Sequence, residues 1–116
     1  MAWMQAGKGI VHAEGMNENR TEVEVVHGLQ FWISLPSAQK FIDPDFFHYP
    51  SASLPSIDMG KATVKVLCGE LNEQKSPVQS LSPAFIFEVN ILAQEELTIP
   101  LLERNTLGLY MVSGSI

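Results

Sequence analysis

The sequence predicts an all-β protein of the jelly-roll class, built as an antiparallel sandwich or barrel. Three observations predict it. Short apolar runs follow a period of two, as in 29–35, where Leu29, Phe31, Ile33 and Leu35 share one face and Gln30, Trp32 and Ser34 the other. Clusters of Gly, Pro, Ser and Asn separate these runs at strand-and-turn spacing. No window sustains a helical apolar period with caps at both ends.

Taken in order, Gly7-Lys8-Gly9 is a turn, 10–14 a short strand and 15–19 a polar loop. Residues 22–35 hold two extended pieces with a break at His27-Gly28, and the branched and aromatic face of 29–35 is expected to be buried. The pattern collapses in 36–55, where Pro36, Pro44, Pro50 and Pro55 are spread among serines. Proline removes ladder donors and fixes φ, so an irregular segment is expected. Phe41, Phe46, Phe47 and Tyr49 argue against a free linker. The segment is expected to cross the surface of a barrel, with the domain junction inside it. Strands resume at 63–67, with Val64 and Val66 on one face, and Gly69 ends that run. A polar loop over 72–82 leads to three further strands at 84–92, 97–101 and 107–112. Ending at Gly114-Ser115-Ile116, directly after a strand, leaves backbone hydrogen bonding incomplete and reads as a piece of a longer protein.

Composition narrows the function classes. With 46% apolar and 17% charged residues the chain can bury a core, and 116 residues suit one small domain or parts of two. The net charge of -6, with no cluster of Lys or Arg, gives no electrostatic footprint for nucleic acid or an anionic membrane. Direct nucleic-acid binding is therefore not expected, although docking on a DNA-binding protein stays open. The single cysteine, Cys68, allows no intrachain disulfide and fits a reducing compartment. There is no basic start followed by an apolar run, and no apolar stretch of membrane-spanning length. The expected location is the cytoplasm, or the nucleus in a eukaryote. Asn19-Arg20-Thr21 matches a glycosylation sequon, which is read as chance without a secretory signal.

The chemistry-bearing triplet is His12-Ala13-Glu14. Residues two apart on a strand point the same way, so an imidazole and a carboxylate could hold one metal ion between them. Such a mixed donor set suits iron, manganese or zinc. Any His-x-Glu on an exposed strand looks the same, so the triplet alone is weak. Its surroundings are specific. Trp3-Met4-Gln5-Ala6-Gly7-Lys8-Gly9-Ile10-Val11-His12-Ala13-Glu14 resembles the signature of the pirin family. His27-Gly28-Leu29-Gln30-Phe31-Trp32-Ile33-Ser34-Leu35-Pro36 is similar to a second block of that family. Pro44 and Pro50-Ser51-Ala52-Ser53-Leu54-Pro55 look like its inter-domain crossing, Val66-Leu67-Cys68-Gly69-Glu70 like the opening of its second barrel, and Leu109-Tyr110-Met111-Val112-Ser113-Gly114 like a later strand.

The resemblance implies a two-domain cupin and places this chain as an internal piece of it. Residues 1–47 would end the N-terminal, metal-binding cupin, 48–57 would be the crossing, and 58–116 would begin the C-terminal cupin. It implies one metal, usually iron, held by three His and one Glu, of which the last His and the Glu map onto His12 and Glu14. It also implies quercetin 2,3-dioxygenase-type activity, with Fe(II) as cofactor and a flavonoid-like small molecule as substrate. A flavonol oxygen would bind the metal, and Glu14 is the candidate base for its proton. The alternative implied role is non-enzymatic, a co-regulator docking on a regulatory protein. This sequence departs from the family by lacking a His-x-His pair, which would supply the other two imidazoles. Phe46-Phe47 also stands where many members carry Tyr-Gln. With two of four donors, the chain alone is expected to be inactive and to bind iron weakly.

Other residues read more plainly. His27 is expected to be a structural histidine at a strand start and His48 a surface residue. Cys68 is expected to be buried rather than reactive, and Trp3 and Trp32 to pack in the core. Gly7-Lys8-Gly9 lacks the spacing and hydroxyl of a phosphate loop, so its glycines serve a tight turn into the His12 strand.

Overall fold

A computed structural model describes residues 1–13, 27–100 and 106–115 of the chain. Among these residues the structure is all-β, with 3-10 turns at Ser37–Gln39 and Ser51–Ser53 and no α-helix. Strand β1 (Ala2–Gln5) pairs antiparallel with β2 (Asp45–His48), Ala2 opposite His48 and Gln5 opposite Asp45. Strand β3 (Ser56–Asp58) and the long β4 (Ala62–Cys68) are followed by a small hairpin, β5 (Glu70–Leu71) with β6 (Gln74–Lys75), and then by β7 (Ile86–Ile91). The main sheet runs β3-β4-β7, antiparallel throughout.

β4 sits between two partners, and its burial alternates along its length. Ala62, Val64, Val66 and Cys68 are buried, while Thr63 between them is exposed. β-branched valines suit such a position because their restricted χ1 fits a pleated, packed surface. Val64 and Val66 pack with Leu71, joined by Ile57, Met59, Phe87, Leu97 and Ile99. Cys68 packs with Leu54 and Val78, and Met1, Trp3 and Tyr49 close over that cluster. The register slips between Val66 and Cys68, where Leu67 is the extra residue of a bulge. Gly69 then takes φ +85, and a Cβ there would crowd the Ala84 carbonyl and Phe85, so the strand ends where sequence places it.

Several expected elements differ. The segment 36–55 is not wholly irregular, because β2 forms inside it. Asp45–His48 lies between Pro44 and Pro50 and contains no proline, so all its N–H donors are available to a ladder. The loop at 72–82 begins with the β5–β6 hairpin, whose two turn residues, Asn72 and Glu73, both have positive φ, as a two-residue hairpin turn requires. The strand expected over 84–92 forms as β7. Residues 10–13, 29–35, 97–100 and 107–112 form no strand. Alternation makes a segment suited to a sheet, but a strand exists only with a hydrogen-bonded neighbour, and none of these meets one among the described residues. Leu29, Phe31 and Ile33 are accordingly exposed rather than buried, as is Trp32. Glu14, the first extended piece over 22–26, and residue 101 lie outside the described residues.

Because Val66 is fully buried in the middle of β4, Val66→Ala is expected to lower unfolding stability by about 2 kcal/mol. Val112→Ala, at a position 73% exposed, is expected to change it by less than about 0.5 kcal/mol. Urea denaturation of the two variants checks the difference, and equal effects would show that β4 is not the centre of the core.

Candidate functional site

The segment bearing His12 is built outward from β1. Trp3 is half-buried against the Leu54–Cys68–Val78 cluster, as expected for a packing tryptophan. Around it the strand is closed at its start by a reciprocal pair, the Met1 ammonium donating to the Tyr49 carbonyl at 2.6 Å and the Tyr49 N–H to the Met1 carbonyl at 2.8 Å. After Gln5 the chain turns. Gly7 has φ +50, the left-handed region that glycine enters without steric penalty, and the Gly9 N–H donates to the Ala6 carbonyl at 2.8 Å.

The turn rests on a neighbouring loop. The Lys8 N–H donates to the Ile42 carbonyl at 3.0 Å, and a Cβ on Gly7 would overlap that same oxygen. The Lys8 ammonium meets the Asp43 carboxylate at 2.5 Å, and the Gln5 side-chain amide donates to the Asp43 carbonyl at 3.4 Å. Both charged groups of the ion pair are largely exposed, so its contribution is small beside the backbone contacts. Sequence reading identified the tight turn but not Ile42 and Asp43, since a backbone carbonyl acting as a receptor leaves no residue-type signal.

His12 lies four residues beyond Lys8 and is exposed. The short strand expected to carry it does not form over residues 10–13. Glu14, its expected companion, falls outside the described residues. An imidazole and a carboxylate fit iron in chemical kind, but they are fewer donors than a metal centre needs. Among the described residues no group of three or more His, Cys, Asp and Glu side chains could hold a metal. His27 and His48 are both exposed; His48 ends β2 opposite Ala2, and His27 starts no strand.

An open recess of about 580 Å³ lies beside Cys68, lined in part by Lys75, Ser76, Val78, Ser80 and Ser82. Its hydroxyls are already committed within the chain. Ser76 Oγ donates to the Leu67 carbonyl and accepts from the Val78 N–H, Ser80 Oγ donates to the Ser82 carbonyl, and Ser82 Oγ donates to the Ser34 carbonyl. His12 does not line it. No helix among the described residues is long and apolar enough to cross a membrane.

Comparison with known proteins gives relatives along almost the whole chain. A pirin-like protein of Arabidopsis thaliana is 38% identical over 114 residues, which make up 97% of this chain and 40% of that protein. Pirin-1 of the same plant is 34% identical over 114 residues, 97% of this chain and 37% of the relative. Pirin of Homo sapiens is 30% identical over 116 residues, 100% of this chain and 39% of the relative. The chain thus spans about two fifths of the length of the curated relatives it matches. No protein-family model and no solved structure matches it.

Cys68 is buried, as expected, and burial pushes its thiol pKa up, while hydrogen bonds from the Gly69 backbone and with Ser80 pull it part of the way back. The neutral thiol is the form the fold favours. Its contribution to stability is therefore fully present below the unfolded thiol pKa, about 8.5, and is lost as pH rises above it. The folded chain is expected to react with a disulfide reagent at least about tenfold more slowly than the urea-unfolded chain at pH 8. Equal rates in a colorimetric thiol assay would place Cys68 in contact with solvent.

Proposed function

Since this chain belongs to the pirin family, we propose that it supplies His12 and Glu14 to the metal site of a pirin-like cupin protein. The complete site would support a quercetin 2,3-dioxygenase-type reaction. The observation that carries this reading is the likeness to pirins over 97–100% of the chain, through the segment that holds both residues. The exposure of His12, four residues beyond Lys8 of the anchored turn, supports it. In the same reading residues 1–47 belong to the metal-binding cupin and 58–116 to the second. That division is supported by the β1–β2 ladder sharing no hydrogen-bonded strand with the β3-β4-β7 sheet, although Trp3 packs against Cys68.

Iron bound at such a site would supply Lewis acidity and open positions for substrate and O₂. His12 would give a neutral imidazole nitrogen as donor. Glu14 would give a carboxylate oxygen and would accept the proton of a flavonol hydroxyl. His12 is exposed and fills no core volume as β4 does, so replacing it would remove a donor and leave the main sheet standing.

Two forms and two variants test this. The 116-residue chain is expected to hold little iron and to show no quercetin-dependent O₂ uptake. A pirin-length form with a His-x-His pair ahead of Met1 is expected to hold iron and consume O₂. In that form, His12→Ala or Glu14→Ala should lower iron affinity and rate by more than about tenfold. Iron content is read by elemental analysis. An unchanged rate in His12→Ala would remove both residues from the site, and bound iron without O₂ uptake would favour the non-enzymatic co-regulator reading.

A further inference from the structure

We propose that β7 is a docking edge for a second copy of this chain, the two β7 strands pairing antiparallel about a twofold axis at Val89. The inference stands apart from the reading of His12 and Glu14. β7 is an outer strand of the main sheet, with no strand on its far side among the described residues. The other outer strand, β3, has three residues and directly follows Pro55. Shortness and proline blunt an edge against pairing. β7 has neither, since Ile86–Ile91 runs six residues without proline. Its core-facing side chains are also only partly covered. Val89 and Ile91 lie opposite Val64 and Ala62 on the apolar face of the sheet. Val64 is 0% exposed, yet Val89 is 39% and Ile91 43% exposed. The apolar face therefore runs out to the edge without being closed there.

Backbone parity and charge fix the register. The Leu92 N–H donates to the Lys61 carbonyl at 3.0 Å, on the β4 side. Successive residues of an antiparallel strand turn their N–H and C=O to opposite sides. Glu88 and Asn90 therefore bond to β4, and Phe87, Val89 and Ile91 turn their backbone groups to the open edge. The Val66 N–H agrees, because it donates to Pro55 on the β3 side and so leaves Thr63 and Lys65 to face Asn90 and Glu88. Two copies can bond only where outward-facing residues meet. A register centred on Glu88 sets two carboxylates opposite each other, which is destabilising. One centred on Asn90 carries Phe87 past the end of the opposing strand. One centred on Val89 pairs Val89 with itself and Phe87 with Ile91 of the second copy, so all three outward-facing residues of each strand are used. It also sets Glu88 opposite Asn90 of the second copy, an amide that already reaches Glu88 within its own strand at 3.4 Å. On its other side Glu88 has Lys65 in register. The two apolar faces then join across the axis, and the surface is self-complementary, as a twofold contact requires.

The test is sedimentation equilibrium of the 116-residue chain over a concentration series, with amide exchange read at Val66 and Val89. The expected result is a monomer–dimer equilibrium in which Val89 gains protection as the dimer fills and Val66 is protected throughout. Val89→Pro removes an outward N–H without taking one from the β4 ladder, and is expected to weaken dimerisation at least about tenfold. Val89→Lys and Val89→Glu read the register. Each alone is expected to weaken the dimer at least about tenfold, and an equimolar mixture to restore it, because position 89 meets itself only in this register. A monomer at every concentration overturns the proposal. If its Val89 is nonetheless protected, a segment of the same chain occupies the edge. Growth past a dimer also overturns it, since a twofold contact closes on itself. So does undiminished dimerisation in Val89→Pro. If Val89→Pro loses Val66 protection, the charge-bearing pair decides: restoration in the mixture sustains the proposal, and failure to restore overturns it.

Discussion

Burial of alternate residues along β4 is the constraint from which the rest of the described structure follows. Ala62, Val64, Val66 and Cys68 leave water only because β3 and β7 satisfy the strand's backbone on both sides. Buried backbone groups must be paired, so the apolar face and the two ladders stand or fall together. The bulge at Leu67 and the left-handed Gly69 then turn the chain away and set Cys68 against Leu54 and Val78. That second cluster receives Trp3, and through Trp3 the N-terminal strand. The segment that delivers His12 is thus attached, at one remove, to the most buried strand in the molecule.

Charge plays little part in holding this arrangement. Lys8 pairs with Asp43 and Lys61 with Glu95, both near or at the surface where water competes. Among the described residues no buried side-chain polar atom lacks a hydrogen-bond partner. The one buried polar side chain among the described residues, Ser76, is satisfied by backbone on both sides, donating to Leu67 and accepting from Val78. The shape of the turn ahead of His12 is a matter of backbone geometry, and an acidic chain of net charge -6 can keep it without a compensating basic patch.

Legibility in the sequence followed the reach of each signal. β4 was plain from Val64 and Val66, because a strand buried on one face must alternate, and its end at Gly69 was plain because a glycine there admits a positive φ. The all-β class and the family likeness were legible for the same reason, since both rest on residue types in order. Partner choice was not. Leu29, Phe31 and Ile33 alternate as well as β4 does, yet they lie exposed, because alternation states a preference for a sheet and says nothing about whether a neighbour is there. β2 was hidden by the prolines on either side of it, although proline bars only its own N–H from a ladder. His12 could be singled out by the family-like block around it, which the spacing to Glu14 alone could not do. The anchor of its turn could not, because Ile42 contributes a carbonyl that every residue possesses.

The separations along the chain give the β1–β2 pairing a further meaning, in the entropy of loop closure. Met1 meets Tyr49 across 48 residues, whereas Cys68 meets Ala84 across 16. Closing the longer loop costs about 1 kcal/mol more chain entropy, and β1 and β2 share only four residue pairs to offset it. β1 therefore forms against a larger loop entropy than the sheet around β4, and the packing of Trp3 on the Leu54–Cys68–Val78 cluster is what offsets the rest. A local opening of that strand would weaken anything held at His12 only in proportion to the fraction of time the strand is open, so the more firmly β1 is held the smaller the loss.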